Sequence, residues 1–116
     1  MKKLLLIGSI ATAIVIFSNC SSGKKATATV VPKSTYESNV HTLVMNNCSP
    51  CHIPAKGGNK KPYDNFANVK TDIDEMIRRV ELNPGDKGYM PFKRAKLSDS
   101  TIAVFKQWKA DGMLEK

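Results

Sequence analysis

Long apolar runs, cysteines and aromatics are all scarce in this chain of 116 residues, and each shortage excludes something. The longest apolar run, Leu4 to Phe17, is broken only by Gly8, Ser9 and Thr12. A membrane-spanning helix needs roughly 20 such residues, so this shorter run suits the core of an export signal better than a span. Only three cysteines occur, Cys20, Cys48 and Cys51, an odd number that pairing alone cannot explain. Aromatic residues make up 7% of the chain, and no basic stripe is interleaved with them, which argues against nucleic acid as a partner. There is no internal repeat and no convincing strand pattern. The formal charge of +8 is mostly a property of the N-terminal third: Lys2, Lys3, Lys24, Lys25 and Lys33 supply five of the 18 basic residues, and the 10 acidic residues all lie beyond them.

What is present begins with a short basic start, Met1-Lys2-Lys3, ahead of the apolar run. Ser18-Asn19-Cys20 then resembles the lipobox of bacterial lipoproteins, whose signal is cleaved before a cysteine that becomes acylated. Phe17 and Asn19 stand where that pattern prefers Leu and a small residue. The resemblance implies a signal peptide over 1–19, lipid on Cys20, and a membrane-anchored protein of the cell envelope facing the periplasm. Residues 20–33 (CSSGKKATATVVPK) are small and polar and read as a flexible tether. One domain over 34–116 remains.

That domain reads as all-α. Ser34-x-x-Glu37 matches a capping box, and Tyr36, Val40, Leu43 and Val44 follow at helical spacing. Residues 53–62 are a loop by composition. A short helical turn is expected near 63–69, with a new helix opening at Thr71, Asp72 and Asp74 and burying Ile73, Met76, Ile77 and Val80. Asn83-Pro84-Gly85 stops it. Ser98 caps a last helix, Leu97 is placed to staple onto Ile102, Val104, Phe105 and Trp108 continue the apolar face, and Gly112 suits the position just past its end. A domain of this size has a marginal apolar core, which a buried apolar cofactor would complete.

Cys48-Ser49-Pro50-Cys51-His52 fits the C-x-x-C-H pattern of covalent haem attachment. Two thiols with two residues between them reach the two vinyl-derived carbons on one porphyrin edge, and the adjacent histidine turns its ring to the iron. The same residue types also serve zinc, for which His41 would have to complete a four-ligand set. A redox dithiol is a further reading, although that motif follows a strand, and here a helix precedes it. Chance is the last.

From CSPCH at the end of the first helix, Gly88-Tyr89-Met90-Pro91-Phe92, and Leu97-Ser98 leading to Trp108 and Gly112, the chain resembles class I cytochrome c domains, especially the short monohaem domains of bacterial lipoproteins. The resemblance covers about 34–116. It implies a small fold of three to five helices around one haem c, with crossing N- and C-terminal helices. His52 and a loop methionine would be the axial ligands of the iron, and Met90 is the best placed; Met45, Met76 and Met113 fit core or surface roles. His41 is an alternative ligand. A proline carbonyl, Pro62 or Pro54, would orient the His52 ring. Tyr63, Phe66, Tyr89 and Trp108 would line the pocket. The function implied is one-electron transfer between redox partners at the membrane, without catalysis. Lys87, Lys93, Arg94 and Lys96 around Met90 would form a rim for an acidic partner. Alternatives are the haem subunit of a larger oxidoreductase and a gas sensor with an open distal site.

Overall fold

The computed structural model describes residues 31–116. The expected signal peptide and lipidated Cys20, and all but the end of the expected tether, lie outside the described residues. Val31–Lys116 forms one compact unit. The fold is all-α, and among the described residues no helix is long and apolar enough to cross a membrane.

The first helix opens with a wide, π-type turn over Tyr36–Val40 and continues as α1, His41–Asn47. Its cap is Thr35, whose hydroxyl accepts from the Ser38 amide at 3.2 Å. The expected Ser34–Glu37 capping box does not form, because Ser34 is drawn elsewhere: its amide donates to Asp111 Oδ2 at 2.6 Å. The orphan amides of the first turn go to the C-terminal tail. Tyr36 N–H donates to the Leu114 carbonyl at 2.8 Å and Glu37 N–H to the Glu115 carbonyl at 3.0 Å. Thr35 and Leu114 form an isolated parallel bridge.

The second helix, α2, runs unbroken over Phe66–Glu81, where a short turn and a separate helix were expected. Asn65 caps it, accepting from the Asn68 amide at 3.0 Å, so the polar Thr71, Asp72 and Asp74 fall within the helix and not at its start. Thr71 finds a partner one turn back, in the Ala67 carbonyl at 2.8 Å. Val69, Ile73, Met76 and Val80 are the buried stripe. The last helix, α3, Asp99–Ala110, is capped by Ser98 Oγ, which accepts from Thr101 N–H at 3.2 Å. Gly112 follows with φ of +95°, a left-handed conformation that glycine adopts without steric cost.

The core joins Tyr36, Val40 and Val44 of the first helical segment to Val69, Ile73 and Met76 of α2 and Phe105 and Trp108 of α3. Trp108 is fully buried, with its ring 6.0 Å from Tyr36 and 6.2 Å from Phe66, and its indole N–H donates to the Leu114 carbonyl at 2.7 Å. Trp108 and Phe66, the first residue of α2, therefore pack with Tyr36 where the helices meet, and neither is in the wall of the cleft described next. Burial of this indole and of the neighbouring branched side chains contributes about 1.5–3 kcal/mol each.

Candidate functional site

A cleft of about 660 Å³ opens between the end of α1, the face of α2 and the loop that precedes α3. That volume lies in the ordinary range for small-molecule and cofactor sites, roughly 300–1,000 Å³. Its walls carry Cys48, Cys51 and His52 on one side and Met90, Pro91 and Phe92 on another. Met76, Val80, Leu97 and Phe105 provide apolar floor, while Lys60, Lys61, Asp72, Glu75, Arg79 and Arg94 bring charge.

The motif is shaped by its own backbone. Cys48 N–H closes on the Val44 carbonyl at 2.8 Å and His52 N–H on the Cys48 carbonyl at 3.0 Å, so one turn carries both thiols and the imidazole. The following loop folds back onto it. Gly58 N–H reaches the Ile53 carbonyl at 3.1 Å and Lys60 N–H the Cys51 carbonyl at 3.0 Å. A Cβ on Gly58 would lie 2.3 Å from the Pro50 carbonyl oxygen and 2.6 Å from that of Cys51, so only glycine fits there.

The His52 ring is held on two sides. Nδ1 lies 2.7 Å from the Lys61 carbonyl, and a carbonyl can only accept, so Nδ1 carries a proton and in the neutral ring Nε2 has the lone pair. The acceptor belongs to Lys61 and not to Pro62 or Pro54. Pro62 stays exposed outside the cleft wall and Pro54 opens a short 3₁₀ turn. Tyr63 stacks on the imidazole, with centroids 4.6 Å apart and planes 14° apart. Its hydroxyl donates to Asp72 Oδ2, and Lys61 Nζ pairs with Asp72 Oδ1 at 2.5 Å. Burial and the bond to Asp72 push the Tyr63 phenol well up. Burial would raise Asp72, but bonds from Lys61 and Tyr63 outweigh it and hold the carboxyl below its ordinary value.

Cys48 is half-buried, and burial pushes its thiol up to about 11, partly offset by Arg94. It is thus a neutral thiol near pH 7, the opposite of the lowered value that activates a redox dithiol. His41 stands apart, beside Tyr36 at 5.6 Å, and is absent from the cleft wall. Among the described residues no group of three or more His, Cys, Asp or Glu side chains is placed to hold a metal ion on its own.

Met90 shares the cleft with His52, and Met76 of α2 also reaches its wall; Met45 and Met113 pack against the core instead. Tyr89 does not line the cleft. It is buried behind the loop, and its hydroxyl donates to the Arg94 carbonyl at 3.0 Å. Met90 N–H donates to the Arg79 carbonyl at 3.2 Å, tying the loop to the last turn of α2. Of the four cations expected to form a docking rim, Arg94 donates to the Asn46 and Asn47 carbonyls, and Lys96 Nζ to the Glu81 carbonyl at 2.8 Å. Lys93 lies over the exposed Phe92 ring, 5.3 Å from its centroid. Lys87 is exposed. Gly58, Lys61 and Arg79 are site residues that the sequence did not single out, while Asp72 was read only as part of a helix start and Arg94 only as a rim cation.

No family model, curated protein or solved structure matches the chain.

The haem that the motif and the resemblance imply can be tested for fit against these residues. The donor set suits it: two thiols for covalent attachment, an imidazole with a free Nε2 lone pair, a soft thioether in the same cleft, and an apolar floor.

Proposed function

We propose that the chain is a monohaem c-type cytochrome of the cell envelope that carries single electrons between redox partners. The observation that carries this reading is the convergence of Cys48, Cys51 and His52 with Met90 on one cleft, although Met90 lies on a separate loop beyond α2. Cys48 and Cys51 would hold haem c through thioether bonds. His52, its proton fixed on Nδ1 by the Lys61 carbonyl, would present Nε2 to the iron, and Met90 would present its sulfur. The helical contact of Tyr36 with Trp108 agrees with the crossing terminal helices of a class I cytochrome c fold. When bound, the group supplies an iron that takes up and returns one electron.

The chain's own residues do the rest. Met76, Val80, Leu97 and Phe105 keep water from one side of the cleft. A thioether favours ferrous iron, so a His/Met pair raises the potential. Phe92 is 66% exposed with Lys93 over its ring, and Lys60, Lys61 and Arg94 line the same cleft, a surface suited to an acidic redox partner at the membrane. Lipid on Cys20 would keep the domain near such partners. No catalytic residue is assigned; as a subunit of a larger oxidoreductase the domain would use the same residues.

The experiment is maturation in a host competent for haem attachment, followed by mass and spectra. Haem should survive acid-acetone extraction and add one haem mass to the denatured chain. Ferric protein should show the near-infrared sulfur-to-iron band, and ferrous protein should resist carbon monoxide. A haem-free mass would end the reading; rapid carbon monoxide binding by the wild type would favour the gas sensor. Met90→Ala should abolish the band, lower the potential and admit carbon monoxide, whereas Met76→Leu and Met113→Leu should leave all three unchanged. Since Met76 also reaches the cleft, a loss of the band in Met76→Leu alone would transfer the ligand role to it.

A further inference from the structure

The end of α1 makes an unusual demand on the rest of the fold. The last carbonyls of a helix have no intrahelical partner, and a basic side chain near that end can take them. Here two of those carbonyls are met locally, that of Val44 by Cys48 N–H at 2.8 Å and that of Met45 by Ser49 Oγ at 2.5 Å. The last turn of α1 holds no basic residue of its own. The carbonyls of Asn46 and Asn47 accept from one guanidinium nitrogen of Arg94, at 3.3 and 3.2 Å, across sequence separations of 48 and 47.

Arg94 sits four positions after Met90. Its own backbone is fixed in the loop, since Arg94 N–H donates to the Pro91 carbonyl at 3.1 Å and its carbonyl accepts the Tyr89 hydroxyl at 3.0 Å. One side chain therefore joins the loop that carries Met90 to the helix end that carries Cys48. We propose that Arg94 is the positioning residue for Met90: it latches the loop to α1 and so holds the thioether in the cleft that His52 faces. This rests on the reading of Met90 as an iron ligand.

The latch acts on the opening of the loop. With it, loop displacement costs two charge-assisted bonds and leaves two carbonyls to water; without it, the hydrogen bonds that tie the loop to α2 are Met90 N–H to the Arg79 carbonyl and Lys96 Nζ to the Glu81 carbonyl. Removing such contacts should raise the open fraction by about tenfold. A guanidinium can serve both carbonyls from a fixed plane, while a lysine ammonium can reach one or both as a point donor.

The test is made on wild-type, Arg94→Lys and Arg94→Ala holoprotein. Arg94→Ala should bind carbon monoxide in the ferrous state about tenfold faster than wild type and show a weakened near-infrared sulfur-to-iron band; Arg94→Lys should recover much of both. Far-ultraviolet circular dichroism and the melting curve establish that each variant is folded, and if Arg94→Ala is not, Arg94→Lys and Arg94→Gln are ranked in its place. Unchanged band and carbon monoxide rate in a folded variant overturn the latch while leaving the Met90 ligand intact. A shifted potential with both signals unchanged also overturns it, because Arg94 would then act only through its charge. A wild type without the band removes Met90 as a ligand, and the latch with it.

Discussion

Tyr63 lies nearly parallel to the His52 ring, 14° off and 4.6 Å away, and the same two residues are joined through the backbone, Tyr63 N–H donating to the His52 carbonyl at 2.9 Å. The phenol hydroxyl then reaches Asp72 on α2. Tyr63→Phe keeps the stacked ring and loses the hydroxyl donor, so it should cost about 1 kcal/mol in denaturant unfolding. Tyr63→Ala also empties a buried ring site and should cost about 3–5 kcal/mol. Equal losses in the two variants would mean that the hydroxyl, and not the ring, supports this wall of the site.

Asp72 gives the fold an acid limb. Its carboxyl is held below the ordinary value of 3.8, because Lys61 and Tyr63 stabilise the ionised form beyond the opposing effect of burial. The unfolded chain therefore takes up this proton more readily than the folded one. The stabilisation is present above pH 3.8 and is lost as pH falls through the lower folded value. Asp72→Asn should lower stability at neutral pH and flatten the decline of stability with acid. Denaturant midpoints measured across that range for wild type and variant check it.

Gly58 is pressed against the motif. A methyl group there would meet backbone oxygens of Pro50 and Cys51 at 2.3 and 2.6 Å, and backbone cannot yield as a side chain would. Gly58→Ala should destabilise the domain by about 1–3 kcal/mol, the cost of overpacking. It should also lower the yield of protein with attached haem, read as haem stain per unit of protein on a denaturing gel. Gly57→Ala is the contrast: nothing lies within 4 Å of a Cβ there, so any cost comes from its φ of +80° alone.

Much of this was legible in the residues. CSPCH placed the cysteines and His52, helical spacing found the buried Val40, Val44, Ile73, Met76, Phe105 and Trp108, and Ser98 was read correctly as a cap. The failures share a cause. Ser34 looked like a cap because Glu37 follows at the right spacing, but Asp111, distant in sequence, takes its amide. Asp72 looked like a helix start because acids favour that position, yet its partners Lys61 and Tyr63 come from the preceding loop. Phe66 and Trp108, which the resemblance implies as pocket residues, pack with Tyr36 where the helices meet. Local pattern carries no record of a distant acceptor, and the roles of Ser34, Lys61 and Arg94 each depend on one.

The tail after α3 is a structural part and not a trailing end. Removing Leu114, Glu115 and Lys116 would strip the acceptors from Tyr36 N–H, Glu37 N–H and the Trp108 indole. At about 1 kcal/mol per bond, the truncated domain should lose about 3 kcal/mol. Trp108→Phe, which loses the indole donor and some ring volume, should be the milder change. Thermal melts of the three proteins rank them.

The pairing of Thr35 with Leu114 also dictates a timetable. The opening turn of the first helix finds its acceptors only at Leu114 and Glu115, so that turn stays incomplete until those residues are free to fold. Closing so large a loop is entropically costly and comes late in folding. During that interval Cys48, which burial later makes a poor nucleophile, is as accessible as Cys51. A maturation machinery that must reach both thiols would find its opportunity before Thr35 and Leu114 meet, and a cross-link that joins them early would shorten it.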